Sequence, residues 1–91
     1  MKNHPTMQEM LDLADSAVRH GLADALERAE YNSIADGARM LPRITSATMA
    51  EEATMFVDDM IADEIGWDAQ EVVDACLKAR DLLAHVRIHS A

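Results

Sequence analysis

Aromatic side chains are nearly missing from this chain: Tyr31, Phe56 and Trp67 are the whole supply in 91 residues. A core of large flat rings is therefore excluded. Much of the apolar half of the composition is Ala and Met, which bury little area or pack with little rigidity. Cys76 stands alone, so no intramolecular disulfide framework exists, and a reducing compartment is the matching environment. No apolar run approaches the ~20 residues of a membrane span. The opening Met1-Lys2-Asn3-His4-Pro5 leads into no apolar signal segment, and a cytoplasmic protein is expected. Phosphate-binding glycine loops, nucleophile elbows and zinc knuckles are also lacking. No catalytic residue, cofactor or metal site is expected, and the chain is read as not an enzyme.

The absence with most consequence is cationic. Between Ile44 and Leu77 there is no Lys or Arg, against nine carboxylates: Glu51, Glu52, Asp58, Asp59, Asp63, Glu64, Asp68, Glu71 and Asp74. Residues 1–43 carry seven acids and five bases, whereas residues 44–91 carry ten and three. Such a one-signed stretch projects a field that repels nucleic acid and anionic membrane and attracts basic protein surfaces. Self-repulsion at net charge −9, added to a thin core in a small domain, favours burying more surface in a homodimer or against a partner.

Helical start and stop signals run through the whole chain, and nothing alternates like a strand. The spacing predicts an all-α fold: a compact three- or four-helix domain covering 1–91, with helices at about 7–20, 24–41, 49–65 and 69–88. Thr6 and Glu9 make a capping box for the first, and Met7, Met10, Leu11, Ala14, Ala17 and Val18 supply its stripe. His20-Gly21-Leu22 reads as its C-terminal cap. A single helix over 7–41, kinked at Gly21, is the alternative, because the apolar phase continues into Leu22, Ala25 and Leu26. The second helix would start near Asp24 and turn Leu26, Ala29, Ile34, Ala38 and Leu41 inward, stopping before Pro42. Residues 42–48 form the one connection long enough for a hinge. Thr48 with Glu51, and Asp68 with Glu71 and Trp67, mark the starts of the last two helices. Val72, Val73, Cys76, Ala79, Leu83 and Val86 form the inward face of the fourth. Asp15–Arg19, Asp24–Arg28 and Asp74–Lys78 are spaced as i,i+4 ion pairs.

On the third helix Glu51, Glu52, Asp58, Asp59 and Asp63 fall within an arc of roughly 140°, at about 100° per residue. Ala53, Phe56, Val57, Met60 and Ile61 cover the opposite side. A solvated face is the ordinary meaning of such an arc. Two details point further: a merely soluble surface intersperses Lys and Arg, and Met55 projects from the middle of the acids, where a flexible apolar side chain can anchor a contact. The expected partner-binding set is Glu51, Glu52, Met55, Asp58, Asp59 and Asp63. Carboxylates a turn or two apart on one face imitate the phosphates of a nucleic acid. The expected function is thus a small acidic interaction protein, an inhibitor or decoy that occupies a basic, nucleic-acid-binding site on a partner, as anti-defence proteins of mobile elements do. A structural or assembly subunit using its Met-rich face is another reading.

Ala62, Gly66 and Val72, with Ile61, Ile65 and Ala75 or Cys76, stand at the spacing of a small inter-helix residue, a turn glycine and a branched anchor. The segment 61–76 thereby resembles a helix-turn-helix, with 49–88 as the hairpin around it. The resemblance covers about a fifth of the chain and implies a dimeric transcriptional regulator with Asp68, Ala69, Gln70, Val73 and Asp74 facing a DNA groove. Duplex readers present Lys and Arg to phosphates and Arg, Asn or Gln to bases. Here only Gln70 suits, and the acids would meet phosphates. A basic patch would have to come from Arg39, Arg43, Lys78 and Arg80, so a structural corner is preferred and no direct nucleic-acid binding is expected.

Asp81, His85 and His89 share one face of the last helix at i, i+4 and i+8. The outer two are about 12 Å apart in rise, too far to share one ion. Histidines near a helix C-terminus complement its dipole. Cys76 lies in an apolar stripe and reads as core.

Overall fold

The structure, a computed structural model, describes residues 6–64 and 69–90, and at positions 63, 64, 89 and 90 the backbone alone. The capping box at Thr6 is formed: Glu9 N–H donates to Thr6 Oγ1 at 3.1 Å, and Thr6 N–H donates to Glu9 Oε1 at 2.8 Å. It opens helix α1, which continues through α-helical Met7–Ser16, π-helical Ala17–Leu22 and α-helical Ala23–Arg28. Helix α2 is Asn32–Arg39. Helix α3 is α-helical over Ala47–Asp59 and π-helical over Met60–Glu64, and α4 is Gln70–Ser90. The fold is all-α and compact, with a radius of gyration of 12.8 Å, close to the ~12 Å expected for this length. Helix α4 packs along α1 on one side and α3 on the other, while α2 rests on the second half of α1.

The first interruption of the chain lies elsewhere than at His20-Gly21-Leu22. Gly21 sits inside α1, and Leu22 and Leu26 beyond it are fully buried. Burying each leucine is worth about 1.5–3 kcal/mol, more than the ~1 kcal/mol that glycine costs a helix, so the apolar phase wins. The helix stops instead at Ala29, with a paired cap: Tyr31 N–H donates to Leu26 O at 2.8 Å and Glu30 N–H to Glu27 O at 3.0 Å. This is the Schellman arrangement, and it requires a left-handed residue at Glu30, whose φ is 71°. Two substitutions of opposite logic should both stabilise. Glu30→Gly removes the left-handed penalty and Gly21→Ala removes helical flexibility, the added methyl meeting only Ser16 O at 3.7 Å. Each is expected to add about 0.5–1 kcal/mol in denaturant unfolding. Loss of stability in Glu30→Gly would mean that the cap is not the chain's stop signal.

The connection expected as a hinge is pinned. Ile44 is fully buried, and its N–H donates to Asp15 Oδ1 at 3.0 Å. Arg43 reaches Asp12 at 3.3 Å. Helix α3 starts one turn's fraction earlier than the Thr48–Glu51 box implies, at Ala47, because Ser46 Oγ accepts the Met49 N–H at 3.3 Å. Met40, just beyond the end of α2 at Arg39, is 82% exposed.

The core collects Leu11, Ala14, Val18, Leu22 and Leu26 of α1, Ala35 and Ala38 of α2, Ala50, Ala53 and Val57 of α3, and Val72, Cys76, Ala79, Leu83 and Val86 of α4. Alanines at so many contacts let the helices approach closely, and leucine, valine and Met60 fill between them. Asp15 is the buried charged residue among these, 4% exposed. It takes the Ile44 N–H and the Arg19 guanidinium, whose Nη1 lies 3.1 and 3.3 Å from its two oxygens.

Candidate functional site

The helical phase that buries Ala50, Ala53, Val57, Met60 and Ile61 turns Glu51, Glu52, Met55, Asp58 and Asp59 to solvent. Met55 is 62% exposed among them. The side chain of Asp63 lies outside the described residues. Five of the six sequence-derived positions therefore share one outward surface of α3.

That surface is not free of cations, which corrects the expectation drawn from the linear run. Helix α4 brings Arg80 against it, with Nε 3.1 Å from Asp58 Oδ1. The run without Lys or Arg ends just before Lys78, and helix packing folds Arg80, the second cation after it, back into its middle. Both partners are about half exposed, so the pair contributes little stability, but it offsets the charge that Asp58 projects. Among the described residues Glu51, Glu52 and Asp59 make no ion pair.

The other arginines are similarly occupied. Arg28 Nε lies 3.0 Å from Glu71, and Arg39 holds Asp24 at 3.0 Å and Glu27 at 2.6 Å. The hydrogen bonds that it donates to Asp24 and then Glu27 push the Arg39 guanidinium above its ordinary pKa. These partners replace the expected Asp24–Arg28 pair, while Asp15–Arg19 is formed as spaced. Asp74 accepts from Gln70 Nε2 at 2.8 Å. The basic patch that DNA binding would need is thus largely tied to carboxylates of the same chain.

The α3 and α4 helices make the expected hairpin, but the helix-turn-helix details fit poorly. Ala62, which would lie between the helices, is exposed, and Val73, which would face the groove, is buried. The turn itself, with Gly66, Trp67 and Asp68, lies outside the described residues.

Three of the openings at the described surface bear on the site. One, of about 370 Å³, lies between α2 and α3 and is lined by Ser33, Ile34, Gly37, Phe56, Asp59 and Met60. A second, of about 340 Å³, runs between α1 and α4 over Leu13, Ala17, Gly21, Ala25, Ala75 and Leu82. The third borders the Asp58–Arg80 pair. Sequence reasoning missed the first two. Gly37 was the available signal for one, and the Ala17, Gly21, Ala25 series, spaced by four, for the other.

Cys76 is buried, and burial pushes its thiol up to about 11 against a weaker opposing effect of Arg80. It stays protonated at neutral pH, which suits a core position rather than a nucleophile. His85 Nδ1 lies 2.8 Å from Asp81 O, one turn back on its own helix. Among the described residues no cluster of three or more His, Cys, Asp or Glu can hold a metal ion, and His89's side chain is outside them. No helix among them is long and apolar enough to cross a membrane. Comparison with protein-family models, curated proteins and solved structures finds no match for this chain.

Proposed function

We propose that this is a non-enzymatic, cytoplasmic interaction protein whose acidic α3 face engages a basic surface of another protein. In its specific form the protein inhibits a nucleic-acid-binding partner by occupying its cationic groove. The observation that carries the reading is the outward α3 surface itself: Glu51, Glu52 and Asp59 unpaired among the described residues, with the exposed Met55 among them. Carboxylates in solvent steer a basic partner and set register, while an apolar centre supplies the desolvated contact. Capture of a partner on the immobilised protein, followed by competition, tests the specific form. A captured protein that binds duplex or single-stranded nucleic acid, and is released by it, fits occupation of the groove. Simultaneous binding of nucleic acid and this chain by that partner would end the inhibitor reading.

Self-association is proposed alongside it, through the α1–α4 groove. Leu13 is 51% exposed at one end of that groove, and Gly21, Ala25 and Ala75 leave space at the other. An antiparallel second copy would set each Leu13 over the partner's small residues, as a two-fold interface requires. Sedimentation equilibrium at micromolar concentrations should show a dimer that Leu13→Glu dissociates. A wild-type monomer throughout that range removes the proposal.

A further inference from the structure

We infer that the cleft between α2 and α3 receives one apolar side chain of a basic segment, so that an apolar anchor and flanking cations are read together. The inference rests on the proposed role of the acidic α3 face and names the chemistry of the segment that face would hold.

Gly37 is part of the cleft's lining and adds no side chain to it. It lies within the eight-residue helix α2, where glycine is the poorest choice short of proline. A methyl group built there would come only within 4.0 Å of Phe56 Cε2, so close packing does not require the missing side chain. Ile34 and Phe56 pack on the core and are only partly buried at the opening. With Met60 they make its walls apolar.

The rim supplies the sign of the occupant. Asp59 is part of the lining, and Glu52 stands one turn before Phe56, which places both carboxylates on the same flank of α3. Asp36, exposed on the opposite helix, is outside the lining and lies 4.0 Å from Arg39 Nη1, so the rim charge is that of α3. An acidic or neutral segment would leave those charges facing an apolar contact with no compensation. A segment with Lys or Arg on either side of one large aliphatic residue satisfies both parts. The cleft volume of about 370 Å³ stands at the lower end for ligand pockets, a scale that suits an anchoring side chain better than an extended cofactor. Such an apolar anchor in a groove is the recurring mode by which helices and peptides dock.

Two lysine-rich peptides of about twelve residues, one with a central leucine and the other with alanine in its place, provide the test. Titration at low salt by calorimetry should show the leucine peptide binding wild type about tenfold more tightly. Gly37→Leu, which fills the cleft, should erase that difference while leaving the alanine peptide's affinity as it was. Nuclear magnetic resonance on the wild type gives a measurement independent of that variant's folding: the leucine peptide should shift the Ile34 methyl and Phe56 ring signals, and the alanine peptide should leave them in place. Equal binding of the two peptides, or leucine-specific shifts confined to another surface, overturns the cleft assignment and leaves the acidic-face reading standing. Failure of both peptides to bind wild type overturns that reading and the cleft assignment with it.

Discussion

Replacing Asp15 with alanine is expected to lower stability by about 3 kcal/mol, the largest effect of any single polar substitution among the described residues. Its carboxylate is 4% exposed and serves two elements at once. Without it the Ile44 N–H, on a fully buried residue, loses its acceptor, a loss worth about 1–3 kcal/mol. The Arg19 guanidinium loses its counter-charge in a site where its Nε already has no hydrogen-bond partner. Arg19 keeps about a quarter of its side chain in solvent, so that second cost falls below the ~3–5 kcal/mol of a fully buried pair. Total stability for such a domain is only about 5–14 kcal/mol, and the melting temperature should drop by on the order of 15 °C.

The controls separate the two contributions. Asp15→Asn keeps an oxygen for Ile44 but loses the charge, and should cost roughly half as much. Asp15→Ala combined with Arg19→Met should be less damaging than Asp15→Ala alone, because the stranded cation is gone. If Asp15→Ala costs under ~1 kcal/mol by urea unfolding, the pair behaves as an ordinary surface i,i+4 contact, and the pinning of residues 42–48 has another source.

Asp15 also marks where the sequence stops being legible. Its spacing to Arg19 is readable from i,i+4 geometry, and that pair forms. Nothing in the linear text links it to Ile44, 29 residues away, since a lone backbone N–H has no sequence signature. The same limit explains the other ion pairs. Nearest-neighbour spacing assigns Asp24 to Arg28, but long guanidinium arms reach across helices, and Arg28 takes Glu71 while Arg39 takes Asp24. Helix faces were legible because burial imposes a period, and the inward residues of α4 read from that period are all buried. Punctuation was less so. Gly21 is a stop signal that the apolar phase overrides, and Glu30 is a stop that carries no signal, because glutamate rarely adopts positive φ. The acidic arc was visible as a helix face, whereas the Arg80 that folds back on it depends on how α3 and α4 pack. The cleft beneath that arc could be suspected only from Gly37, a glycine with no turn to make.

Reversing Glu52 and Asp59 to lysine is expected to weaken partner binding by at least a hundredfold while leaving stability within about 0.5 kcal/mol of wild type. These two positions are the clean choice because both are exposed and neither makes an ion pair among the described residues. Asp58 is not clean: a lysine there would face Arg80 at the distance where Asp58 now pairs, 3.1 Å, and would disturb the α3–α4 contact itself. Circular dichroism and thermal melting check the first half of the expectation, and titration against the captured partner checks the second. Wild-type binding should weaken as salt rises, and the double variant should lose that dependence because the attraction that salt screens is gone. Met55→Ala distinguishes steering from anchoring. A change confined to the association rate in the reversal variant, with Met55→Ala silent, means that charge only guides the encounter. A faster dissociation rate in Met55→Ala, about tenfold or ~1.4 kcal/mol, means that the thioether sits at a desolvated centre. Unchanged affinity in the double reversal would reduce the α3 face to a solvated surface, and the proposed function would fall with it.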